Sequence, residues 1–171
     1  MKLVSLFTLG LCAATATARS SQATLTEDKP DVPGKNPLKF CAQPDDYILE
    51  IKKADLSPNP PEAGTKLTIT ATGNFKKDVE EGAKVHLQVK YGFITLVKQT
   101  ADLCETVQKV DLECPLKEGE MTLTKDVDLP AQIPPGKYTV LADVVTKDED
   151  KITCLTAEVT FARNGAATFS F

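Results

Sequence analysis

The fold is decided by the stretch Thr65-Lys-Leu-Thr-Ile-Thr-Ala-Thr-Gly-Asn-Phe75, in which apolar or small residues alternate with polar ones. Successive side chains of a β-strand point to opposite faces, so this period of two predicts a half-buried strand. Lys84–Tyr91 repeats the pattern and predicts a second strand of the same kind. The residues on the two apolar faces are Leu67, Ile69, Ala71 and Phe75 in the first strand and Val85, Leu87, Val89 and Tyr91 in the second.

Five further short apolar stretches also predict strands, although the alternation is weaker in Glu120–Leu129, and turn residues such as Pro and Gly separate them. They are Tyr47–Leu56, Phe93–Val97, Glu120–Leu129, Lys137–Thr146 and Ile152–Phe161. No convincing amphipathic helix and no internal repeat accompany them. The pattern predicts an all-β protein, an immunoglobulin-like two-sheet β-sandwich of about seven strands. The chain has no Trp, the largest side chain that could fill a core. Two alternatives therefore remain for the space between the sheets, a partly unfilled gap or a normally packed core, and packed cores are commoner.

Three segments are predicted along the chain. Residues 1–18 begin with one Lys, continue through a short apolar run and end in Ala-Thr-Ala, which is typical of a secretory signal peptide. Residues 19–37 are polar and rich in Pro, and predict a flexible arm or a propeptide. Residues 38–171 hold the predicted strands and form a single domain.

Four of the five cysteines remain once the signal peptide is removed. An even number in an exported chain predicts two disulfides, and four cysteines allow three connectivities, among which the sequence alone does not choose. Cys104 and Cys114 are ten residues apart, a spacing that suits a disulfide within one hairpin or loop. Cys41 would then pair with Cys154.

Most enzyme and nucleic-acid functions are disfavoured by composition. The formal net charge of −4 opposes binding to a phosphate backbone. His86, the only histidine, falls on the polar face of its strand, and no nucleophile elbow, phosphate-binding loop or metal-ligand spacing is present. We therefore expect no enzyme activity, no cofactor, no metal and no nucleic-acid partner.

Several short motifs occur in a fixed order along the chain. They are Tyr91-Gly92-Phe93 before Asp102-Leu103-Cys104, then Cys114-Pro115-Leu116-Lys117-Glu118-Gly119, then Ile133-Pro134-Pro135-Gly136-Lys137-Tyr138, with Cys41 before the first strand and Cys154 in the last. This order resembles the MD-2-related lipid-recognition (ML) family. Within the Niemann-Pick type C sterol-binding branch, the chain looks most like the fungal phosphatidylglycerol/phosphatidylinositol transfer members. Like them, it lacks the third, short-range disulfide that the animal sterol carriers usually have, since Ser57–Gly64 contains no cysteine.

The resemblance implies that 38–171 is an ML lipid-binding domain whose sheets hold one lipid between them, with the disulfides Cys41–Cys154 and Cys104–Cys114. It implies a monomeric carrier of phosphatidylinositol, phosphatidylglycerol or sterol that touches membrane surfaces transiently and works outside the cell or in a vacuole-like lumen. The residues expected to bind lipid are Leu67, Ile69, Ala71, Phe75, Val85, Leu87, Val89, Val140, Ala142 and Val144, with Tyr91, Phe93, Leu96 and Ile133 near the mouth. Lys90, Lys98 or the Tyr91 hydroxyl would reach a phosphate at the rim.

Two other functions compete with a carrier. One is a secreted structural or adhesion module with a solid core, and the other is a lipid-presenting immune co-receptor that hands its ligand to a protein. The presence or absence of a bound lipid separates the carrier from the adhesion module.

Overall fold

The computed structural model describes residues 29–110, 112–163 and 165–169. Its strands are β1 (Leu38–Phe40), β2 (Leu49–Ser57), β3 (Lys66–Phe75), β4 (Lys84–Tyr91), β5 (Ile94–Asp102), β6 (Gly119–Asp128), β7 (Gly136–Val145), β8 (Lys151–Phe161) and β9 (Ala167–Phe169). A short 3₁₀ turn, Pro44–Asp46, precedes β2, and helix α1, Leu103–Gln108, follows β5. The seven predicted strands correspond to β2 through β8, and β1 and β9 are three-residue additions.

The strands form two antiparallel sheets. One has the order β1-β8-β7-β4-β5, with β9 pairing to another part of β8, and the other has the order β2-β3-β6. The all-β, immunoglobulin-like sandwich predicted from the alternation is confirmed. The sheets are unequal in width, because six strands face three. This inequality decides which inward residues are covered.

Helix α1 was not predicted, because six residues are too few for a helical period to show in the sequence. Its first turn is capped by Asp102, whose side chain accepts a hydrogen bond of 3.1 Å from the backbone N–H of Glu105. Leu103 and Val107 on its inner side are buried. The helix therefore closes one end of the sandwich with apolar side chains.

Both disulfides implied by the family resemblance are present. Cys41 and Cys154 join the residue after β1 to the middle of β8, with a Sγ–Sγ distance of 2.03 Å and a Cα–Cα distance of 5.4 Å. Cys104 and Cys114 join α1 to the loop that follows it, with a Cα–Cα distance of 5.6 Å. The second bridge thus fastens the helical cap to the chain that leads into β6.

Residues 29–37 pack against the sandwich. Val32 is 4% exposed, and its backbone N–H donates to the carbonyl oxygen of Leu38. The side-chain amide of Asn36 donates to the carbonyl oxygen of Ala54 at 2.8 Å, and the backbone N–H of Ala54 donates to Pro33. The signal peptide predicted at 1–18 and the rest of the predicted arm, 19–28, lie outside the described residues.

A bulge in β8 turns two neighbouring side chains towards the interior. Thr153 pairs with Val144 and Lys151 pairs with Val145, so Ile152 is an extra residue between two successive pairs. Ile152 is 1% exposed and Thr153 is 6% exposed. The bulge therefore buries a hydroxyl group beside an apolar core residue.

Candidate functional site

A cavity of about 220 Å³ lies between the two sheets, beneath α1. Three parts of the fold contribute its walls: the inner face of the three-stranded sheet, α1 with the loop behind it, and the ends of β7 and β8 near their connecting turn. The lining residues are Leu49, Ile51, Ala71, Thr72, Gly73, Phe75, Met121 and Leu123 from the first part, Leu103, Val107, Leu112 and Leu116 from the second, and Val144, Ile152, Thr153 and Leu155 from the third.

The cavity wall is almost entirely apolar, with two threonines. The Thr72 hydroxyl lies 3.0 Å from the Thr122 hydroxyl, in a polar ladder on the exposed face of the sheet. The Thr153 hydroxyl oxygen is buried and has no hydrogen-bond partner among the described residues. Such a space excludes ions and favours hydrocarbon, because an unpaired polar group in it costs free energy that an alkyl chain does not.

Three of the residues predicted to bind lipid line this cavity: Ala71, Phe75 and Val144. Five others stand on the inner face of the larger sheet. The pairing of β4 with β7 places Val85 beside Val144, Leu87 beside Ala142, and Val89 beside Val140. The structure thus brings these five residues together across two neighbouring strands, and none of them lines this cavity.

The remaining predicted residues lie towards the other end of the strands. Leu67 is 8% exposed and Ile69 half-buried on β3, whereas Tyr91 and Ile133 pack on a cluster around Tyr138 and Phe161. Phe93 and Leu96 contribute to no enclosed space, since they are 105% and 55% exposed.

An aromatic cluster fills the end of the sandwich opposite α1. The Tyr138 ring lies 5.1 Å from the Tyr91 ring and 5.6 Å from the Phe161 ring, measured between centroids. The Tyr91 hydroxyl donates to the carbonyl oxygen of Pro135 at 2.9 Å. Burial, and then the nearby Tyr91, raises the pKa of Tyr138. Two closed ends leave the long side of the sandwich as the route into its interior.

The long side between β5 and β6 is open. Every residue of β5 before Asp102 is exposed, and β4 beside it is half-buried along most of its length. The three-stranded sheet ends at β6 and leaves β5 uncovered. The free edges of the two sheets, β5 and β6, therefore border the least covered side of the sandwich.

Lys125 stands on the inner face of β6 at this opening, although the sequence analysis did not select it. Met121 pairs with Gly73 and Leu123 with Ala71, so the next inward pair along the strands is Lys125 with Ile69, about 7 Å further on. Lys125 is half-buried and forms no ion pair with the described residues. Its position could have been read from the sequence, because Met121, Leu123, Lys125 and Val127 alternate with polar residues.

The carboxylate of Asp126, the residue after Lys125, interacts with side chains on the outer face of the sheet. Asp126 accepts a hydrogen bond of 2.8 Å from the Thr68 hydroxyl, and Lys66 lies 3.5 Å away on the same outer face. The Thr68 hydrogen bond, reinforced by Lys66 and then by the charge of Lys125, lowers the pKa of Asp126. Lys90 and Lys98 alternate with Val89 and Val97 and so stand on the outer face of their sheet. The two lysines predicted for the rim therefore face away from the gap between the sheets, whereas Lys125, which was not predicted, faces it.

A family model described as "ML domain" matches residues 35–161. The chain belongs to the ML-domain family. A phosphatidylglycerol/phosphatidylinositol transfer protein of Aspergillus fumigatus is 58% identical to it over 166 residues, covering 92% of this chain and 95% of the relative. A protein of the same name from Pyricularia oryzae is 51% identical, covering 96% of this chain and 93% of the relative.

The ML fold is also seen in a solved structure. A Niemann-Pick type C2 protein from the Japanese carpenter ant superposes with a TM-score of 0.54 at 13% identity, covering 71% of this chain and 96% of that protein. At this identity the likeness concerns the fold alone. Within the described part of this ML-domain chain, no helix has both the length and the apolar character that crossing a bilayer requires.

Proposed function

We propose that this protein is a lipid carrier, not an enzyme, which binds one lipid between its sheets and transfers it between membranes. The observation that carries the proposal is the apolar cavity between the sheets of an ML domain. The names of its relatives favour phosphatidylglycerol and phosphatidylinositol as ligands, and sterol is the alternative.

Hydrophobic burial supplies the affinity of such a carrier. Each methylene group removed from water contributes about 0.8 kcal/mol, so about ten of them supply about 8 kcal/mol, equivalent to a Kd near 1 μM. A cavity of 220 Å³ holds part of a lipid tail. The rest of the ligand lies along the half-buried inner face of β4, where Leu87 and Val89 stand beside Ala142 and Val140. This extended site includes the inward residues predicted from the alternation.

The head group stays at the opening between β5 and β6, with its phosphate beside Lys125. A half-buried ammonium group on an otherwise apolar face is suited to an anion that arrives with a hydrocarbon chain. An acyl chain directed towards α1 passes Leu123 and Met121 on the same strand, which connects the lysine to the cavity. The arrangement favours anionic over zwitterionic phospholipids.

Substitution of Lys125 tests this head-group contact. We expect Lys125→Gln to reduce the preference for phosphatidylglycerol over phosphatidylcholine about ten-fold, because one charge-assisted hydrogen bond is lost. The measurement is competitive binding of the two lipids. Lys66→Gln is the control, since it removes the same charge from the outer face of the same sheet. An unchanged preference in Lys125→Gln would place the phosphate elsewhere.

The carrier function itself is tested on the purified protein. Organic extraction followed by mass spectrometry should recover one phospholipid or sterol per chain, and the protein should accelerate exchange between donor and acceptor vesicles. Gel filtration should show a monomer. An extract free of lipid, together with no acceleration of exchange, would rule out the carrier and favour a structural or adhesion module.

Two disulfides indicate that the protein folds in an oxidising compartment, outside the cell or within the secretory pathway. The signal peptide proposed at 1–18 agrees with this route. Sequencing of the mature N-terminus should find Arg19 if the peptide is cleaved there, or a later residue if 19–37 is a propeptide. Localisation of the tagged protein distinguishes secretion from retention in a vacuole-like lumen.

A further inference from the structure

The β4–β5 hairpin exposes an unusual amount of apolar surface at its tip. Tyr91 and Ile94 form the last pair of the hairpin, and Gly92, with a φ of +54°, and Phe93 make the turn. Phe93 is 105% exposed, Ile94 63% and Leu96 55%. Among the described residues five large hydrophobic side chains are exposed, and four of them belong to this hairpin. Apolar patches of this kind mark interaction surfaces.

The exposure follows from the unequal widths of the sheets. Ile94 pairs with Tyr91 and Val97 with Val89, so both lie on the inner face of the larger sheet. The three-stranded sheet stops at β6 and does not cover them. Phe93 projects beyond the last strand pair and contacts no core cluster among the described residues.

The charged residues of the hairpin itself all have one sign. Residues 84–101 contain three lysines and no acidic residue, in a chain whose formal net charge is −4. Lys90 and Lys98 form no ion pair with the described residues, although nine other lysines do. Both lie within about 10 Å of the last strand pair along the hairpin, close to a Debye length.

Apolar side chains flanked by unpaired lysines match the interface of an anionic bilayer. Phe and Ile enter the boundary between head groups and acyl chains, while lysines extend to the phosphates. A second copy that paired through the same hairpin would bring the lysines of the two chains together, and like charges repel. We propose that the β4–β5 hairpin docks the protein on anionic phospholipid membranes, with Phe93 and Ile94 inserted and with Lys90 and Lys98 on the phosphates.

This inference rests on the proposed carrier function and adds the surface by which the carrier meets its donor and acceptor membranes. Docking by the tip brings β5, the strand beside the opening, against the bilayer. The cavity beneath α1 lies at the other end of the sandwich, so docking and lipid retention depend on different residues. The two can therefore be disrupted separately.

The absence of Trp from the sequence allows a direct probe of insertion. Phe93→Trp should show a blue-shifted emission on vesicles of phosphatidylglycerol and phosphatidylcholine, with quenching by brominated acyl chains. Asp148→Trp, in the exposed β7–β8 turn at the opposite end, is the control and should show neither change. An unshifted and unquenched Phe93→Trp, at vesicle concentrations that bind the wild type, would overturn the proposal.

Loss of docking should leave the bound lipid in place. We expect Phe93→Asp with Ile94→Asp to lower vesicle co-sedimentation and transfer rate at least about ten-fold, with unchanged lipid content by extraction. Lys90→Gln and Lys98→Gln should each lower binding to phosphatidylglycerol vesicles about five-fold, with a smaller effect at high salt. Full vesicle binding by the double Asp variant would refute membrane docking through the hairpin. A wild-type dimer that this variant converts to monomer would assign the surface to self-association instead.

Discussion

The two ends of the sandwich are built from strands with the same alternating pattern. Apolar side chains are buried at one end and exposed to solvent at the other. At the α1 end, Leu103 and Val107 close the gap between the sheets, and a disulfide fastens the helix to the following loop. At the hairpin end, Phe93 and Ile94 extend into solvent with no facing element. The difference shows that alternation selects the face of a side chain, whereas the opposite layer decides whether that face is buried.

Filling the enclosed end should have the largest effect. Ala71 lines the cavity, and Ala71→Phe should reduce lipid content at least about ten-fold, because the new ring occupies the space of an acyl chain. Extraction with mass spectrometry measures the loss, and thermal unfolding verifies that the variant is folded. Ala131→Phe is the matched control, in the exposed connection between β6 and β7 at the end of the sandwich away from α1, and should retain lipid. Equal lipid in both variants would mean that the cavity under α1 is not the tail site.

Releasing the cap should have the next largest effect. Removal of the bridge by Cys104→Ser with Cys114→Ser should lower the free energy of unfolding by about 3 kcal/mol, on the chain-entropy estimate for a loop of this length. Denaturant unfolding measures the change. Limited proteolysis should show faster cleavage between α1 and β6 and unchanged cleavage in the β4–β5 hairpin. Unaltered proteolysis near α1 would show that the helix closes this end without the bridge.

The smallest effect concerns the hydroxyl enclosed beside the cavity. Thr153→Val replaces an oxygen that has no hydrogen-bond partner in the described part of the chain by a methyl group of similar shape, and should raise the free energy of unfolding by about 1 kcal/mol. Thr72→Val, which removes a hydroxyl that faces Thr122 in the exposed ladder, should give no gain. Urea unfolding of both variants makes the comparison. A destabilised Thr153→Val would indicate that the Thr153 hydroxyl is partnered in solution.

Much of the fold could be predicted because its signals are local. The seven long strands were found from alternation, and the cysteine count gave two disulfides whose pairing the family resemblance supplied. Helix α1 was missed because six residues carry too little periodicity. Lys125 could not be recognised from hydrophobicity, because a lysine interrupts the apolar pattern of its strand, although the period that placed Leu123 on the inward face also places the lysine there.

The candidate site was predicted less completely. Ala71, Phe75 and Val144 line the cavity, whereas the mouth was expected near Gly92 and the proline bend. In the structure, that end holds the aromatic cluster of Tyr91, Tyr138 and Phe161, and the opening proposed above lies between the free edges of β5 and β6. Placing the opening required the pairing order of the strands and the width of each sheet.

The sequence by itself determined which side chains share a face, because the period of a strand is a property of the local backbone. It also determined the acidic balance and the family to which the chain belongs. Only the tertiary structure decided where inward faces enclose a cavity and where they meet solvent, since burial depends on strands far apart in the chain. Ala71 and Ile94 both lie on inward faces, yet Ala71 lines the cavity beneath α1 and Ile94 is exposed to solvent.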